Sequence, residues 1–207
     1  HEKAAAKTPF NDGGDAELAR VVAEMKALPN VATVDGPEAA LPALQKLGVE
    51  PRIRFSAPNR NVLPFLRADG DRRYAYFYNC MYTEKEPVFF TAEIEGEGVP
   101  YWIDCWTGKV EAYAQYDVKD GRTVVAITLN PGQACMVGLD LSEKPGLRVV
   151  GTDASFAKRA DGKLFIGARK SGTYAALLSD GTTKAVSIDA PADVDIPLWH
   201  LKVEDWD

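Results

Sequence analysis

The chain has 207 residues, 46% of them hydrophobic, which is enough to bury a core and leaves room for one or two domains. Its 30 acidic against 24 basic residues give a formal charge of -6. That balance argues against nucleic acid and anionic membrane surfaces as partners, since neither offers counter-charge to an acidic protein. No apolar run approaches the roughly 20 residues that span a bilayer, and no charged-then-apolar leader opens the sequence, so it reads as a mature or trimmed product.

The opening "HEKAAAK" is small, charged and helix-forming, and is set aside as a linker or helix tail. In "GGDAELARVVAEMKALPN", Leu18, Val21, Val22, Met25 and Leu28 recur at helical spacing, with Asp15 placed to cap the start and Pro29 just past the end. A short "VATV" strand follows. A second helix is expected in "GPEAALPALQKLGVEP", with Pro37 in its first turn, a stripe of Leu41, Leu44 and Leu47, and Gly48 at its end. Residues 1–51 therefore read as a helical α/β segment, the tail of an upstream domain.

From Arg52 the period becomes two. "RIRFS", "VLPFLRA", "RRYAYFYNCMY", "PVFFTAEIE", "VPYWIDCW", "KVEAYAQY", "RTVVAITL" and "QACMVGLD" are strand-like runs separated by "DGD", "EGEG", "TGK", "KDG" and "NPG" turns. Their regular spacing predicts a mainly β fold, an antiparallel β-sandwich over residues 52–141. A second small β unit over 142–194 is expected from "LRVVGT", "KLFIGA", "GTYAALLSDG" and "TKAVSIDA", with hairpins at Asp161-Gly162 and Asp180-Gly181. "IPLWHLKVEDWD" alternates as the first strand of a further sandwich, 195–207, which suggests that the chain is one piece of a longer polypeptide.

The most chemically loaded stretch is "VPYWIDCWTGKVEAYAQY". If its strand runs on to Trp106, then Trp102, Asp104 and Trp106 share one face and Tyr101, Ile103 and Cys105 the other. Flat indoles beside a carboxylate suit a sugar, whose axial C–H groups lie on the ring while polar groups bond its hydroxyls. An aspartate between two indoles would have a raised pKa. Packing inside the sandwich or against another domain explains the same aromatics, with Asp104 bonding the backbone of its own turn.

Other chemistry is thinner. Glu93, Glu95 and Glu97 fall on one strand face and read as a solvated edge; a stand-alone sugar hydrolase or lyase would need an opposed acidic pair. His1 and His200 are the two histidines; a copper site at His1 would need its free amine, and triads are disfavoured by the same shortage. Cys80, Cys105 and Cys135 lack metal spacing and read as small hydrophobes within strands. Lys158, Arg159, Arg169 and Lys170 form a small basic cluster that could face an acidic sugar. No nucleotide fingerprint is present.

The order of motifs resembles the β-sandwich region that follows the catalytic barrel in α-L-rhamnosidases of glycoside hydrolase family 106. The resemblance is carried by Tyr76 to Asn79, by Trp102, Asp104, Thr107 and Gly108, and by Thr123 to Leu129, and extends over about Ala16 to Trp206. It implies an accessory domain that braces a catalytic domain of the same or a cleaved polypeptide and contacts plant or microbial glycan, in a secreted protein. The family's catalytic carboxylates and calcium ligands belong to the barrel, so no catalytic residue, metal or cofactor is assigned here. "LPFLRADGDRRY" has Phe65-Leu66-Arg67 where family members carry a His-Arg pair. The substrate-binding set is Trp102, Asp104 and Trp106, with Arg67 as a further polar candidate.

Overall fold

The computed structural model describes residues 14–57 and 60–203, and these fall into two units, one ending at Pro51 and one beginning at Arg52. In the first, helix α1 (Asp15–Lys26) has Asp15 and Glu17 in its first turn and Lys26 in its last, charges that oppose the helix dipole. Gly14, rather than Asp15, holds the N-cap position. Arg20 bridges Glu17 and Glu24 one turn to either side. A 3₁₀ turn, Pro37–Ala39, leads into α2 (Ala40–Lys46). Gly48, at φ 77°, ends α2 and lets the Val49 N–H reach the Leu44 carbonyl at 2.9 Å. The expected "VATV" strand does not form; residues 31–34 have no ladder partner. Neither helix buries a side chain, and Val21, Met25, Leu28, Leu41 and Leu44 stay exposed.

The second unit holds the antiparallel sandwich. One sheet holds β1 (Ile53–Phe55), β4 (Val88–Glu95), β7 (Asp117–Lys119) and β8 (Arg122–Leu129), in the order β1-β4-β8-β7. The other holds β2 (Val62–Asp69), β3 (Arg72–Asn79), β5 (Val99–Ile103), β6 (Val110–Ala112) and β9 (Ala134–Asp140), in the order β2-β3-β9-β5-β6. Pro64 lies on β2, an edge strand of this sheet.

Alternation sorts the side chains. On β3, Ala75, Phe77 and Asn79 point inward, as do Ala92 and Ile94 on β4, Val125, Ile127 and Leu129 on β8, and Val137 and Leu139 on β9. Phe77 of one sheet meets Phe90 and Phe55 of the other, with ring centroids 5.5 and 6.4 Å away, so an aromatic cluster closes the sandwich. The buried polar residues Thr123 and Asn79 are bonded. The Thr123 hydroxyl donates to the Gly96 carbonyl at 2.8 Å and accepts from the Gly98 N–H. Asn79 donates to the Leu129 and Asn130 carbonyls and accepts from the Met81 N–H, tying the end of β3 to the turn between β8 and β9. Gly98 has no substitute: a Cβ there would lie 2.2 Å from the Asp140 carbonyl oxygen.

The smaller β unit comprises β10 (Val149–Thr152), β13 (Gly172–Leu178) and β14 (Thr183–Ile188) in one sheet and the hairpin of β11 (Phe156–Ala160) and β12 (Lys163–Gly167). Both expected hairpins form; in the Asp161-Gly162 turn both residues have positive φ, 49° and 72°, as a type I′ turn requires. β10 is stitched to the sandwich by the Val149 N–H on Ala114 and the Tyr116 N–H on Val149. The Arg148 guanidinium lies 5.2 Å over the Tyr116 ring.

Residues 195–203, expected as an opening strand, carry no strand pairing, and Ile196, Leu198, Trp199, Leu201 and Val203 are exposed; 204–207 lie outside the described residues. An alternating segment forms a strand only when a ladder partner satisfies its backbone. No helix among the described residues is long and apolar enough to cross a membrane.

Candidate functional site

The same alternation that buries Ala75, Phe77 and Asn79 turns Tyr74, Tyr76 and Tyr78 to the outer face of the five-stranded sheet. Register builds two cross-strand rows there. Phe65, Tyr76, Met136 and Ile103 form one, and Arg67, Tyr74, Gly138 and Tyr101 the other. Phe65 is 65% exposed.

Gly138 shapes this face. With no side chain between Tyr74 and Tyr101, the sheet has a hollow of about 230 Å³ whose rim carries Arg72, Ile103, Asp140 and Glu143. A Cβ on Gly138 would point into it, 2.9 Å from the Ile103 Cδ1. Beyond Tyr74 lies a second hollow of about 280 Å³, bounded by Phe65, Arg67, Asp69, Tyr76 and Met136.

The polar rim is held in place. The Tyr101 hydroxyl donates to the Glu143 carboxylate, 2.8 Å from each oxygen. Burial first, and then this bond, pushes the Tyr101 pKa up to about 12, so the phenol stays protonated at neutral pH. The Ser142 hydroxyl and N–H hold Asp140 below the ordinary carboxylate range. The Arg72 guanidinium, beside the Tyr74 hydroxyl and 3.8 Å from Asp140, is raised above its usual value.

The expected trio separates. Strand β5 stops at Ile103, so Trp102 alone follows its alternation, and that turns it inward. Trp102 is opposite Val137, half-buried, and tilted against Tyr113 with ring centroids 6.3 Å apart. Asp104 ends the strand. Its carboxylate accepts from the Trp106 N–H at 2.9 Å and the Thr107 hydroxyl at 2.6 Å, while its backbone N–H and carbonyl close the turn with Lys109 and Gly108. Those two bonds, Thr107 first, lower its pKa, opposite to the rise expected between two indoles. Trp106 stands at the turn tip, 98% exposed. Of the four residues, only Arg67 belongs to the outer face. Tyr74, Tyr76, Tyr101, Phe65 and Gly138 are not in the binding set expected from the sequence, although tyrosine at every second position of "RRYAYFYN" was the signal.

Of the remaining candidates, Lys158 and Arg159 line, with Trp102, Tyr113 and Phe156, an open cleft of about 910 Å³ between β6, β8 and β11, while the carboxylates do not gather. Glu93 and Glu95 point outward from β4 as expected, and Glu95 is lowered in pKa by Arg52 at 2.9 Å, the opposite of what a general acid needs. Glu97 lies outside the strand, exposed. Lys158 lies over Phe165 and Arg159 reaches the Leu147 carbonyl; Arg169 and Lys170 follow β12. His200 is exposed, and His1 lies outside the described residues. Among the described residues, no three His, Cys, Asp or Glu are placed to hold a metal.

The three thiols differ, and not all lie within strands as expected. Cys135 is buried on β9, its pKa pushed up to about 12 by burial; Cys80 follows β3 and contacts the Asn61 carbonyl; Cys105 is exposed in the turn. An aromatic disulfide reagent at pH 8 should therefore modify Cys105 within minutes and leave Cys135 untouched until urea unfolds the chain. Equal rates for the two would contradict this packing.

No family model and no curated protein matches the chain. Among solved structures, a rhamnosidase from Novosphingobium sp. PP1Y superposes at 24% sequence identity and a TM-score of 0.46, covering 69% of this chain. The chain spans 15% of that protein's length.

Proposed function

We propose that this chain is an accessory, mainly β portion of a secreted carbohydrate-active enzyme of the α-L-rhamnosidase-like kind. It braces the catalytic domain and lends the outer face of its five-stranded sheet to a glycan. The observation that carries the reading is the pair of aromatic rows with a bonded polar rim on an exposed sheet. Phenol and phenyl faces accept the C–H faces of a pyranose, while Arg67, Arg72, Asp140 and the Tyr101–Glu143 pair can bond its hydroxyls. The bracing role is supported by apolar surface left uncovered in this chain: the stripes of α1 and α2, the turn-tip Trp106 and the 195–203 segment. The resemblance of the strand motifs to family 106 supplies the enzyme class.

Calorimetric titration of the full chain with neutral plant and microbial oligosaccharides should give saturable binding. Tyr76→Ala should weaken it about 5- to 150-fold, the loss of one stacked aromatic ring being worth about 1–3 kcal/mol in related base stacking. The same affinity in Tyr76→Ala as in the parent chain, or no heat with any oligosaccharide, counts against this face.

A further inference from the structure

Resting on the glycan reading above, we infer that the outer face holds two adjoining sugar subsites, so that its ligand is an uncharged glycan of at least two rings lying across the strands. One ring occupies the hollow over Gly138, and the next stacks on Tyr76 and Phe65.

Three observations carry this. The first is size. At about 230 and 280 Å³ each hollow is smaller than the roughly 300–1,000 Å³ of a pocket for a drug-sized molecule, while together they fall inside that range. Each is scaled to one ring. The second is contiguity. Tyr74 lines both hollows and is the wall between them, so their occupants sit side by side and can belong to one molecule.

The third is charge. On the outer face the two hollows carry Arg67 and Arg72 against Asp69, Asp140 and Glu143, while Arg73 turns inward to Glu95. A rim of both signs with a slight acidic excess gives a uronate no advantage, whereas hydroxyls, which both donate and accept, can use both signs. The subsites also differ in kind. The Gly138 hollow is ringed by arginine, carboxylates and a phenol fixed by Glu143, so it reads hydroxyl positions. The other offers Phe65, Tyr76 and Met136 with Arg67 and Asp69 as its charged groups, so it adds stacking with little selectivity.

The test compares calorimetric affinities of the full chain for methyl α-L-rhamnoside and methyl β-D-galactoside, for neutral disaccharides ending in those sugars, and for digalacturonate. The disaccharides should bind at least tenfold tighter than their methyl glycosides, and digalacturonate more weakly than either. Gly138→Val, whose φ is not in the left-handed region, should fill the first hollow and abolish methyl glycoside binding. Phe65→Ala should reduce disaccharide affinity to the methyl glycoside level. Circular dichroism melts of both variants confirm folding, and Gly138→Ala replaces Gly138→Val if the latter unfolds.

Equal affinity for one ring and two overturns the two-subsite inference while leaving glycan binding intact, as does tighter binding of digalacturonate. No binding of any sugar overturns the glycan reading and this inference with it. A concentration-dependent dimer in ultracentrifugation, dissociated by Phe65→Ala, overturns both by assigning the face to a second copy.

Discussion

Replacing Phe77 by alanine is expected to cost about 3–5 kcal/mol of stability, the range for truncating a buried phenylalanine. Phe77 is 0% exposed and is the ring through which the five-stranded sheet meets Phe90 and Phe55 of the opposite sheet. Truncation leaves a cavity at the middle of the sandwich, lined by rings too large to relax into it. A marginal domain has only about 5–15 kcal/mol to lose. The variant should therefore show a much lower urea midpoint with an unchanged slope, followed by tryptophan fluorescence. Phe77→Leu should recover much of the loss, because the cavity it leaves is smaller than that of alanine. An alanine variant within 1 kcal/mol of the parent, on the scale of surface changes, would mean that the two sheets are not packed through this ring.

The second large effect is expected at Asn79, 2% exposed and the only buried amide side chain among the described residues. Its amide donates to two carbonyls of the β8–β9 turn, and its oxygen accepts from Met81. Asn79→Ala leaves those groups without their partner and should cost about 3 kcal/mol, since each buried group left unsatisfied costs about 1–3. Asn79→Asp separates hydrogen bonding from size. It keeps the acceptor but sets a carboxylate against two carbonyls, so its buried pKa should rise. With the folded pKa above the unfolded value, the protonated form is the one the fold favours; the variant is relatively most stable below the ordinary carboxylate pKa of about 4 and loses that advantage as pH rises from there through the raised folded value. A pH-independent gap between Asn79→Asp and the parent chain, measured by urea unfolding from pH 4 to 8, would refute this.

Much of the sandwich was legible because alternation and glycine turns are local signals. Seven of the eight strand-like runs between Arg52 and Asp140 became the longer strands and β1, and the eighth shrank to the three residues of β6. What failed was the assumption that alternation continues through a side chain able to bond its own backbone. Asp104 stops β5 at Ile103, which leaves Trp102 facing inward and Trp106 at a turn tip. "VATV" failed for another reason: β-branched residues favour a strand only where a neighbour completes the ladder. The tyrosine face was written in β3, yet Ala75 and Phe77 alternate with the tyrosines in a run that is apolar or aromatic throughout. Which set turns to the core was decided by Asn79 and by the partner strand β9, both matters of tertiary pairing.

The outer strands of the sandwich have a consequence for the protein's life in solution. A sheet that displays Leu63, Phe65 and a row of tyrosines to water is a hazard if its border can recruit another chain, because free N–H and C=O groups template further strands. Here three of the four borders, β1, β6 and β7, are three residues long. The fourth, β2, is eight residues long, and Pro64 interrupts its row of donors near the exposed Phe65. The molecule can thus keep a sticky face open for a ligand while denying fibril growth a foothold. Pro64→Thr, which restores the missing N–H, is the change that would put this protection at risk.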